Sequence, residues 1–88
     1  MAALAARFAA QAGETATVIE AFLVRQAWTE LAGPCHSLAG RAGMFGHADV
    51  GDAARAVEEA IDAGGAPDEI AQLTTVLLDR LRALRQSR

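Results

Sequence analysis

Three side chains suited to nucleophilic or metal chemistry lie close together in the middle of this chain: Cys35, His36 and His47. An apolar stripe, Leu31, Cys35, Leu38, Ala42 and Phe45, recurs at alternating steps of four and three, the spacing of one helix face. His36 stands about 100° around from Cys35, off that stripe, and the positions sharing its side are Gly40 and Gly43. Glycine inside a helix costs about 1 kcal/mol against alanine, so two of them beside a histidine point to a backbone kept bare for something to approach the imidazole. Imidazole, with an ordinary pKa near ~6.5, is mostly neutral at pH 7 and can form a covalent intermediate as a nucleophile. No Ser–His–Asp set and no paired acid and base surround it in sequence. Self-contained catalysis by this histidine is therefore not expected.

The other candidates read as structural. His36 and His47 are the two histidines, and eleven residues of helix would separate them by roughly 16 Å, too far to share a metal ion. His47 follows Gly46 and reads as an exposed turn residue. Cys35 lies on the core stripe and behaves as a small buried apolar residue. Trp28 and Phe45 read as core anchors, not as a stacking platform. Arg80, Arg82, Arg85 and Arg88 crowd one helix end, where cations complement the dipole and Asp79 is interleaved among them.

Four helices must position these residues. The first is expected over about 3–25, with Leu4, Phe8, Ala12, Thr15, Ile19 and Phe22 in register and a kink or split at Gly13. The second is expected over about 27–45, stopped by Gly46, with Pro34 bending it or delaying its start. Asp49 is the expected N-cap of the third helix, whose stripe is Val50, Ala54, Val57 and Ile61 and whose end is Gly64-Gly65. Pro67, Asp68 and Glu69 suit the first turn of the fourth, with Ile70, Leu73, Leu77, Leu81 and Leu84 as its apolar face. Short connections between such helices predict an all-α, antiparallel up-down four-helix bundle, a single domain over residues 1–88.

Composition narrows the function classes. At 88 residues, 52% apolar but only 5% aromatic, the core must come from closely packed Ala, Leu, Val and Ile. A net charge of −3 lacks the basic excess of a nucleic-acid binder. One cysteine rules out an internal disulfide framework and fits a reducing compartment. No apolar run approaches the roughly 20 residues that span a bilayer, and the alanine-rich start, interrupted by Arg7 and Gln11, reads as helix and not as a signal peptide. The expectation is a cytoplasmic domain with neither membrane nor nucleic-acid partners.

The segment His36-Ser-Leu38-Ala-Gly40-Arg-Ala42-Gly43-Met-Phe45-Gly46 resembles the signature of histidine-containing phosphotransfer (HPt) domains, His-x-Leu-Lys-Gly-x-Ala followed by an apolar residue and glycine. Ala56-Val57-Glu58 is similar to the apolar–Glu pair on the family's following helix, and the resemblance covers nearly the whole chain. It implies that His36 is a phosphoacceptor, on Nε2, that shuttles a phosphoryl group between receiver-domain aspartates or takes it from a hybrid or histidine kinase. Ala39, Gly40, Arg41 and Gly43 would line the docking surface, the chain would hold no cofactor of its own, and Mg²⁺ would come with the partner receiver. The family's usual lysine is Ala39 here; Arg41 lies about 140° around the helix from His36, and Arg25 or Arg55 could supply the missing cation from another helix. Pro34, just before the histidine, could reorient it. The competing reading is a helical interaction or dimerisation module that keeps the shape without the phosphoryl chemistry.

Overall fold

The computed structural model describes residues 2–86, and all its regular structure is helical: α1 (Ala2–Val24), α2 (Trp28–Arg41), a short 3-10 turn (Gly43–Phe45), α3 (Ala48–Asp62) and α4 (Pro67–Gln86). The apolar stripes read from the sequence meet in one core. Phe8, Ala12, Ala16 and Ile19 of α1 pack with Leu31, Cys35 and Leu38 of α2, Val50, Ala54 and Val57 of α3, and Ile70, Leu77, Leu78 and Leu81 of α4. Phe22, Trp28, Phe45, Ile61, Leu73 and Leu84 are half-buried against this cluster. The side chains of Leu4, from the expected α1 stripe, and of Arg85, together with Arg88, lie outside what the structure describes. No described helix is long and apolar enough to cross a membrane.

Several boundaries differ from the expectation, each for a local reason. α1 runs through Gly13 without a break, and Thr17 returns its hydroxyl to the Gly13 carbonyl at 3.0 Å. Pro34 does not delay α2, which starts at Trp28 and carries the proline as its seventh residue. The buried side chains of Leu31, Cys35 and Leu38 hold that helix together despite Gly33, Pro34 and Gly40, because tertiary packing outweighs propensity. α2 then ends at Arg41, four residues earlier than expected, and the chain tightens into the 3-10 turn.

All three connections close with one device. An amide three residues past the end of α1 and of α3, and two past the 3-10 turn, reaches back to close the last turn: Ala27 to the Phe22 carbonyl (2.9 Å), Gly65 to Ala60 (2.8 Å) and His47 to Ala42 (2.9 Å). The residue before each amide is left-handed: Gln26 (φ 54°), Gly46 (φ 85°) and Gly64 (φ 71°). This closure delivers His47 into the N-cap position of α3, so Asp49 falls within the first turn and makes no capping hydrogen bond. Its charge still faces the positive end of the helix, and its carbonyl accepts a hydrogen bond from the Arg80 guanidinium at 2.7 Å. On α4, Thr74 is fully buried within the stripe and donates its hydroxyl to the Ile70 carbonyl at 2.7 Å.

Candidate functional site

His36 projects from the middle of α2 with 79% of its side chain exposed. Its ring is nevertheless held. Nδ1 lies 2.6 Å from Oε2 of Glu58, which projects from α3 and is only 22% exposed. An ionised carboxylate only accepts, so Nδ1 carries the proton and donates it to Glu58. The lone pair of the neutral ring then sits on Nε2, directed away from the carboxylate and into solvent. The contact fixes both the tautomer and the ring direction, as second-partner hydrogen bonds do for histidines generally.

The packing of α2 against α3 sets this pair. Gly51 is the buried residue that lets the helices approach: a Cβ built there would meet the Ala39 carbonyl and the Ala42 methyl at 3.6 Å and the Gly43 amide at 3.7 Å. Seven residues, two turns, on from Gly51 comes Glu58, on the same face of α3. The α2 partners shift the opposite way, from residues 39–43 to His36, so the two helices run antiparallel along the seam that carries the site. Val57, one step from Glu58, is fully buried and pins α3 in this rotation.

Beneath the pair lies Cys35. Its thiol is pushed up to about 12 from an ordinary 9.0, first by burial away from water and second by the negative charge of Glu58. It is a packed, unreactive thiol, and Glu58 is close enough to be felt by it.

The other sequence-derived candidates divide. Gly40 is exposed, in the last turn of α2, and open space surrounds the position a Cβ would take. Gly43 is equally open but belongs to the 3-10 turn, so the two glycines do not share one helix face with His36 as expected. Ala39 is half-buried against the core, under the seam. Arg41 is exposed on another side of α2, where it lines a cleft of about 210 Å³ with Arg7, Phe8, Gln11 and Phe45. Of the two arginines considered as substitutes, Arg25 pairs with Glu30 at 3.3 Å and lies over the Phe22 ring, whereas Arg55 has an exposed contact with Asp52 at 3.6 Å. His47 is half-buried and stacks on Phe8, with ring centroids 5.4 Å apart, so it is not the solvent-exposed residue the sequence suggested.

No curated protein and no solved structure matches the chain. The family model of the Hpt domain matches residues 3–87, nearly its whole length. From its helices, its exposed histidine and that match, the chain belongs to the Hpt domain family, which serves phosphotransfer in two-component signalling.

Proposed function

We propose that this chain is a phosphorelay intermediate, an up-down four-helix bundle in which Nε2 of His36 accepts a phosphoryl group from a receiver-domain aspartate and passes it to another receiver. A hybrid or histidine kinase is the alternative donor. The observation that carries this reading is the 2.6 Å contact between His36 Nδ1 and Glu58 on an otherwise exposed ring.

The transfer balances as follows. The Nε2 lone pair attacks phosphorus, and the bond from phosphorus to the aspartyl oxygen breaks, releasing the receiver's carboxylate. The imidazole keeps its Nδ1 proton and acquires a positive charge. Glu58 already accepts that proton's hydrogen bond, so its carboxylate is in place as the charge develops, an orienting and charge-stabilising role. Phosphoryl transfer depends mainly on positioning and charge neutralisation, so the receiver can bring Mg²⁺ and the remaining catalytic groups.

Glu58→Gln tests the carboxylate's share. Glutamine can still accept from Nδ1 but carries no charge, and transfer from a phosphorylated receiver is expected to slow about 10- to 100-fold. Unchanged rates would remove Glu58 from the mechanism. A second variant tests access. Nothing crowds the Cβ position of Gly40, so Gly40→Leu should leave the thermal midpoint equal or higher while slowing transfer at least about tenfold, because the new side chain stands where a receiver must close. Equal transfer by Gly40→Leu would show that no partner approaches over that glycine. The reading as a whole is tested by a transfer profile against the receivers and kinases of the same genome, where acid-labile label on the wild type is expected. Label from none of them would leave the interaction module as the better description.

A further inference from the structure

Phosphorylation of His36 would place a dianionic group beside carboxylates. Glu58 holds the ring, and Asp52 and Glu59 project from the same exposed side of α3. Such a product needs a cation, and on the two helices that form the seam the arginines are Arg41 and Arg55. Arg41 faces the cleft with Arg7 and Phe8. Of the other described arginines, Arg25, one residue past α1, is paired with Glu30, and on α4 Arg82 is paired with Glu20 at 3.0 Å and Arg80 with the Asp49 carbonyl.

Arg55 is placed differently. It lies four residues after Gly51, which packs on Ala39–Gly43, and three before Glu58, which meets His36. Moving one turn along each of these antiparallel helices from the Gly51 contact sets Arg55 level with Cys35–Ala39. It is about 40° around α3 from Gly51, on the solvent side of the seam, and residues three apart on a helix are neighbours, so Arg55 and Glu58 flank the same space. The facing surface of α2 is bare at Gly40. Its one ion pair among the described residues, to Asp52, is exposed on both sides and 3.6 Å long, the kind that holds a side chain weakly.

We infer that Arg55 is the cation that holds the phosphoryl group on His36, leaving Asp52 and reaching across the surface above Gly40 and Ala39. The inference rests on His36 being the phosphoacceptor and supplies, from α3, the charge that Ala39 does not. A guanidinium binds phosphoryl oxygens through two parallel N–H donors, which the neighbouring carboxylates cannot do.

The test uses phosphoramidate, so that no partner protein is needed. The P–N bond of phosphoramidate breaks and ammonia leaves as Nε2 bonds to phosphorus. With Arg55→Ala, the half-life of phosphorylated His36 should fall about tenfold, and Arg55→Lys should restore part of it. In the wild type, the Arg55 Nε–H resonance should move on phosphorylation, and raising the salt concentration should shorten the half-life towards that of Arg55→Ala. An equal half-life in Arg55→Ala, or an unmoved Arg55 resonance, overturns the inference. Failure of the parent reading looks different: the wild type would take label from phosphoramidate, with the same dependence on Arg55, but from no receiver.

Discussion

His36→Gln is expected to remove phosphoryl acceptance altogether, lowering acid-labile label by at least about 100-fold, while the helical circular dichroism stays unchanged. Glutamine is close in size, and its amide can donate to Glu58 in place of Nδ1–H, but it offers no nucleophilic nitrogen. Because the side chain is 79% exposed and fills no core space, the folding cost should stay within about 0.5 kcal/mol. His47→Gln is the internal control. That ring stacks on Phe8 at the other end of the α2–α3 seam and should be dispensable for label. Label that survives in His36→Gln and disappears in His47→Gln would assign the chemistry to the wrong histidine in this account.

The second large effect concerns stability at high pH. The chain contains no lysine and no tyrosine, so Cys35 is the one side chain that titrates between about pH 9 and pH 12. Burial, aided by the charge of Glu58, pushes its thiol up to about 12 in the folded protein from 9.0. The folded chain therefore keeps a proton that the unfolded chain gives up. Its stability is complete below pH 9 and falls as the pH rises towards 12, by at most about 1.4 kcal/mol per pH unit and by roughly 4 kcal/mol in all. For a small domain, with about 5–15 kcal/mol to lose, that is enough to unfold it in moderate denaturant. Denaturation midpoints recorded from pH 8 to pH 12 should trace this decline, and Cys35→Ala should flatten it while lowering stability at pH 8 through the small cavity it leaves. An equally steep decline in Cys35→Ala would place the titrating group elsewhere.

Much of this molecule was legible in the sequence, and the rest was hidden for identifiable reasons. The helices and their core faces follow from apolar period, so Leu31, Cys35, Leu38, Val50, Val57, Leu77 and Leu81 are buried as read. His36 could be singled out because it left the stripe next to Gly40. Glu58 could not be found from spacing, since it is 22 residues away and meets His36 only once α2 and α3 pack; the signal for it came from the family resemblance. Gly51 carries no signal in the sequence, because only the α2–α3 distance explains it. The left-handed Gln26 closes α1 as a glycine would, but its residue type does not announce a turn. His47 was misread because Phe8, which covers it, arrives from the far end of the chain. Local pattern speaks for elements, whereas contacts between elements appear only in the fold.

The central claim is that Nε2 of His36, oriented through Nδ1 by Glu58, is the phosphoryl acceptor. Its most direct test is a phosphorus-31 and long-range proton–nitrogen spectrum of the ¹⁵N-labelled protein after incubation with a phosphorylated receiver. A single phosphohistidine is predicted, on Nε2 of His36, with Nδ1 still protonated. Phosphorus on Nδ1 of His36, on His47, or on no histidine would contradict the account.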